Sequence, residues 1–122
     1  MAGLTQTEQQ ATLDARFPTT GGTDHIAYST NGTSEAAILA RTPIGATGWA
    51  AATAATPSVK ANANALTSAA ASGSGTITHF AIYSAVSAGT QRTDWQALAA
   101  SKAVTAGDQL TWAVGACAIT LD

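Results

Sequence analysis

Two patterns of apolar and polar positions follow one another along this chain. Up to residue 22 the apolar side chains are few and helically spaced, with Leu4, Ala11 and either Ala15 or Leu13 on one side of a polar stretch. This spacing predicts a helix over about Gln6–Arg16. Thr5 or Thr7 is its N-cap, Glu8 three residues beyond Thr5 completes a capping box, and Arg16 near the end suits the helix dipole. Phe17-Pro18 followed by Gly21-Gly22 then stops it, because a residue before proline is pushed to extended geometry and paired glycines permit a turn.

Beyond residue 22 the pattern changes to short β-branched and aromatic runs separated by Gly, Ser, Asn and Pro at the spacing of an all-β body. Ile26 and Tyr28 alternate with polar neighbours ahead of the turn signal Asn31-Gly32, which predicts a first hairpin near residues 24–41. The stretch Glu35–Arg41 also reads as a short helix. Residues 45–71 are mostly Ala, Thr, Asn and Ser around Trp49, Val59 and Leu66, and favour extended chain that packs closely through small side chains. The strongest strand signal is Thr76–Tyr83, expected at the centre of a sheet. Two extended segments follow, Thr93–Ala100 and Gln109–Leu121, linked through Lys102–Thr105 and the turn Ala106-Gly107-Asp108. Leu110, Trp112, Val114 and Ala116 share one parity while Ile119 and Leu121 have the other, so a bulge near Gly115 is expected to bend that last strand. A faint echo links Trp49 through Leu66-Thr67 with Trp95 through Leu110-Thr111, too weak to establish a repeat. The expected fold is mainly β: a single-domain antiparallel β-sandwich or barrel, jelly-roll-like, with residues 1–22 as an N-terminal helix or arm and 23–122 as the β domain.

Composition adds a reason for assembly. Of 122 residues 46% are hydrophobic, but 30 are alanines that bury little area, so the core is thin against the ordering cost of the backbone. Only 10% are charged, which suits permanent contacts with other subunits better than solitary solubility. The five basic residues, Arg16, Arg41, Lys60, Arg92 and Lys102, are scattered in a chain of net charge −2, which argues against nucleic-acid binding. No segment has the length of apolar sequence that a membrane-spanning helix needs, and residues 1–10 have neither the basic nor the apolar region of a signal peptide.

No catalytic constellation emerges. His25 and His79 are the only histidines, and a metal site would need Asp24, Glu35 or Asp94 to converge on them through folding. Ser84, His79 and Asp94 make a triad only on paper, without a nucleophile elbow, and Ser72-Gly73-Ser74-Gly75 lacks the lysine of a phosphate loop. Seven dispersed acids single out no glycosidase pair. Cys117, in an apolar run, reads as a buried small hydrophobe. Trp49, Trp95 and Trp112 read as anchors of an alanine-filled core or of a subunit interface, with an aromatic sugar platform as the other possibility. The expectation is no enzyme, no metal and no cofactor.

The C-terminal half carries a resemblance. The runs Gly75–Tyr83, Trp95–Leu98, Ser101–Thr111 and Ala118–Asp122, together with Val59–Thr67 upstream and the N-terminal helix, resemble a family of small virion proteins of tailed bacteriophages, labelled tail-fibre or minor structural proteins. The stretch from Asp24 to Thr42 departs most from that family, with Ile38–Thr42 in place of its short strand.

The resemblance implies a non-enzymatic part of the particle, made in the host cytoplasm and carried in the virion. A short chain without a long fibrous repeat points to a capsid decoration protein that binds the major capsid protein, or another virion protein, as a homotrimer and stabilises the shell. The alternative is a tail-fibre or minor tail protein that touches the host surface through exposed Trp or Tyr. Leu4, Leu13, Phe17, Trp49 and Trp95 are the expected interface residues, and the segment Leu4–Phe17 is expected to contact the shell or a neighbouring subunit. No nucleic acid and no membrane is expected among the partners.

Overall fold

The computed structural model describes residues 4–55 and 57–121, with only the backbone of Leu121. It is mainly β and antiparallel, with one helix. In chain order the elements are α1 (Gln6–Arg16), β1 (His25–Ser29), β2 (Thr42–Pro43), β3 (Ser58–Ala61), β4 (Leu66–Thr67), β5 (Gly75–Tyr83), β6 (Gln96–Val104), β7 (Thr111–Trp112) and β8 (Ala118–Leu121). The chain groups into two compact units, one from residues 1–22, 44–65 and 112–122, the other from 23–43 and 66–111.

In the first unit, α1 begins as the sequence predicts. Thr5 Oγ1 accepts the Glu8 N–H at 3.3 Å, and the helix closes when Phe17 N–H donates to Leu13 O. A cap of this kind contributes about 1 kcal/mol. The helix packs on β3, which pairs with β8 in the register Val59↔Thr120, Lys60↔Ile119, Ala61↔Ala118. Leu13, Phe17, Ile44, Trp49, Ala52, Trp112, Cys117 and Ile119 form the core, with the Phe17 and Trp49 rings 5.3 Å apart. Polar groups inside it are satisfied. Buried Gln9 takes the Ser58 N–H on its Oε1 and donates from Nε2 to Leu4 O.

The second unit holds a four-stranded sheet in the order β2-β1-β5-β6. β5 lies inside it, as its apolar run Ile77, Phe80, Ala81 and Ile82 requires, and pairs with β1 through Ile26↔Ile82 and Tyr28↔Phe80. Ile26, Ala27, Tyr28, Leu39, Ile77, Ala81 and Ile82 are buried here, and the Tyr28 hydroxyl hydrogen-bonds the Thr42 hydroxyl. The sheet is open, with edges at β2 and β6, so the barrel alternative does not hold.

Three local expectations change. Asn31-Gly32 does turn, with Asn31 Oδ1 accepting the Thr33 and Ser34 N–H groups, but the strand returning beside β1 comes only at Thr42–Pro43, and Glu35–Arg41 forms no helix. Asn31 and Ser29 satisfy the backbone of the turn locally, and Ala36 N–H bonds back to Tyr28 O without forming a strand. The segment expected to run from Thr93 to Ala100 begins and ends later, as β6 over Gln96–Val104. The last segment is broken rather than bulged. Gly115 takes φ +81, Ala116 N–H closes a turn onto Ala113 O, and β7 and β8 are separate strands on either side. A left-handed residue in a closed turn ends a strand where a bulge would only bend it. Of the two residues expected to carry the opposite parity, Ile119 is buried, and the side chain of Leu121 lies outside the described residues.

Candidate interaction surface

The surface with the most specific construction is the connection from β5 to β6, residues 84–95. It leaves the sheet as a small stem. Ser84 N–H donates to Thr90 O at 3.0 Å, Thr90 N–H donates to Ser84 Oγ at 2.8 Å, and Arg92 N–H donates to Ile82 O at 2.7 Å. Ala88 and Gly89 at its tip are both left-handed, at φ 51 and 71, and Val86 is 67% exposed. A Cβ on Gly89 would lie 2.8 Å from Ser84 Oγ and 2.9 Å from Ala85 Cβ, so only glycine closes this stem.

A buried guanidinium braces the loop. Arg41 reaches Glu35 through two parallel bonds, Nε to Oε2 and Nη2 to Oε1, each 2.8 Å, while Nη1 donates to the carbonyls of Ala85 at 2.9 Å and Ala88 at 2.8 Å. Its side chain is 6% exposed, and the Glu35 carboxylate raises its pKa further, so it remains charged. A planar fork suits this task, because lysine has no second and third donor in fixed positions. Only this ion pair and its hydrogen bonds make burial of the charge tolerable.

The guanidinium also stacks on the Tyr83 ring, 4.0 Å from its centroid, and Tyr83 meets Trp95 with centroids 6.1 Å apart and planes tilted by 51°. Tyr83 O–H donates to Gln91 Oε1 at 3.1 Å, and Gln91 Nε2 donates to Thr93 O at 2.8 Å. Both rings are half-buried, and Gln91, Arg92 and Asp94, which lie between them in sequence, are exposed. Arg92 pairs with buried Asp24 at 3.0 Å.

The five residues expected at an interface fall in different settings. Leu13, Phe17 and Trp49 lie in the core of the first unit, Leu4 is 44% exposed ahead of α1, and Trp95 is half-buried. Arg41, which does the most to shape the surface, was legible in the sequence only as one of five scattered cations. Its partners at 85 and 88 lie more than forty residues away, and no local pattern announces them.

Most of the residues considered for chemistry are engaged elsewhere, and Asp94 lies exposed. His25 Nδ1 faces Thr23 O at 2.8 Å, His79 Nδ1 faces Thr78 Oγ1 at 2.7 Å, Ser84 Oγ accepts Thr90 N–H, and Glu35 and Asp24 belong to ion pairs. Among the described residues no three His, Cys, Asp or Glu side chains gather as metal ligands. Cys117 is buried, which pushes its thiol up to about 12 and keeps it protonated near neutral pH. Among the described residues no helix is long and apolar enough to cross a membrane.

Compared with known proteins, the chain matches the model of a family described as Podophage GP4 fiber I protein gp80 over residues 5–120, nearly its whole length. No curated protein matches. The family match bears out the resemblance to small virion proteins of tailed phages.

Proposed function

We propose, since the chain belongs to the Podophage GP4 fiber I protein gp80 family, that it is a non-enzymatic subunit of a phage fibre that assembles with copies of itself and presents a braced loop surface outward. Family membership makes it a bacteriophage structural protein of the virion, associated with other virion proteins. The observation that carries the fibre reading is the match over residues 5–120, whose description names a fibre. The capsid decoration role expected from chain length and composition has no such support and takes second place.

Two features of the molecule favour assembly. β6 is a nine-residue sheet edge on which Ala97 and residues 99–103 are exposed, and Lys102 is its one charge. A long edge with so little charge is a poor end for a solitary sheet. Leu4, exposed beside a helix whose Leu13 is used in the core, is the contact point for a neighbouring subunit or virion protein. A trimer is the expected symmetric closure.

Electron microscopy of purified particles, with copy number from quantitative mass spectrometry, tests this reading. Density in a fibre at a handful of copies per particle supports it. Density spread over the capsid lattice at hundreds of copies returns the protein to shell decoration.

A further inference from the structure

We propose that Trp95 and Tyr83 form a subsite for an uncharged hexopyranose unit of a polysaccharide. Trp49 and Trp112 are 2% and 8% exposed, so Trp95 is the indole that reaches the surface. Among the described residues its ring meets Tyr83 and its N–H makes no hydrogen bond to the chain. An aromatic face beside an unused donor matches a pyranose, whose C–H face is apolar and whose rim is hydroxylated.

The platform is built rigid before any ligand arrives. Arg41 stacks on Tyr83 while held by four hydrogen bonds, and Gln91 fixes the Tyr83 hydroxyl. Little side-chain entropy therefore remains to be lost on binding. The surroundings select a neutral sugar. Arg41 and Arg92 are already paired with Glu35 and Asp24, while Asp94 is exposed, makes no ion pair among the described residues, and directly precedes Trp95 in sequence. Its carboxylate accepts hydroxyl hydrogens and repels anionic sugars. An interface for a second protein would favour few charges at its centre, whereas the exposed residues that adjoin Trp95 in sequence are Gln91, Arg92 and Asp94. The use of such a subsite in host contact rests on the fibre reading, but the binding itself does not.

The test is titration of the full chain with the methyl glycosides of glucose, galactose, mannose and N-acetylglucosamine, followed by the three indole N–H resonances. The expected result is a saturable shift of the Trp95 resonance with at least one glycoside while Trp49 and Trp112 stay still. Trp95→Ala should weaken binding about tenfold or more, the equivalent of one good aromatic contact, with the other two resonances unchanged as proof of fold. No shift with any glycoside, or shifts confined to residues away from Trp95 and Tyr83, overturns the proposal. So does a Trp95 resonance that moves on dilution without sugar, because the surface is then a contact between copies. Particle microscopy reads the fibre assignment separately, so the two can fail independently.

Discussion

Lys60 Nζ lies 2.6 Å from Asp14 Oδ1, an ion pair in which the lysine side chain has no exposed surface and the aspartate is 45% exposed. The cation is the buried partner, so the two residues are not equivalent. Asp14→Ala leaves an ammonium stranded inside the first unit and is expected to cost roughly 3–5 kcal/mol. Lys60→Met keeps the length, removes the buried charge and leaves Asp14 in contact with water, so it should be neutral or stabilising. Urea midpoints of the two variants check this, and equal losses from both would contradict it.

The same pair sets an acid limit. Asp14 is held below its ordinary 3.8, first by the hydrogen bond from Lys60 and then by the Ala52 N–H. A carboxylate whose folded pKa is depressed adds stability that is complete above the unfolded value and disappears as pH falls through the folded one. Thermal stability should therefore decline below pH 3.8. In Lys60→Met that decline should be shallower, since the largest cause of the shift is gone. A variant with an undiminished slope would show that another group controls it.

Asn62 ties three segments together in the first unit. Its Nδ2 donates to Asn64 O at 2.7 Å and to Ala113 O at 3.0 Å, and its Oδ1 accepts Cys117 N–H at 2.9 Å. Asn62→Ala should cost roughly 1–3 kcal/mol by leaving the buried Cys117 N–H unsatisfied. Asn62→Asp should be no better, because a carboxylate then faces two carbonyl oxygens. Chemical denaturation of both variants measures this, and a tolerated aspartate would refute it.

Arg41→Lys should lose roughly 2–3 kcal/mol and the rigidity of the loop it braces, because one ammonium cannot reproduce the fork to Glu35 and the bonds to Ala85 and Ala88. Hydrogen exchange should rise at Thr90 and Arg92, whose N–H groups close the stem, while the β1–β5 ladder stays protected. Unchanged exchange at those two amides would mean that the stem holds itself.

The sequence spoke clearly where structure is local. Thr5 and Glu8 marked the start of α1, the β-branched run Thr76–Tyr83 marked the central strand, and Gly107 marked a turn, because each signal lies within a few residues of its effect. It was silent on Lys60 and Arg41. A buried cation looks like any surface cation until folding brings its carboxylate and carbonyls to it. The candidate surface was half visible: Trp95 stood out as an aromatic anchor, but its pairing with Tyr83 is set by the loop between them. Gly115 was legible as a disturbance in the last strand, whereas the closed turn that makes it a break depends on Ala113 and Ala116.

The most direct measurement is the position and copy number of this chain on intact particles by electron microscopy. The account predicts density within a fibre, in contact with other virion proteins and at few copies per particle. Density repeated across the capsid shell, or absence from the purified particle, would contradict it.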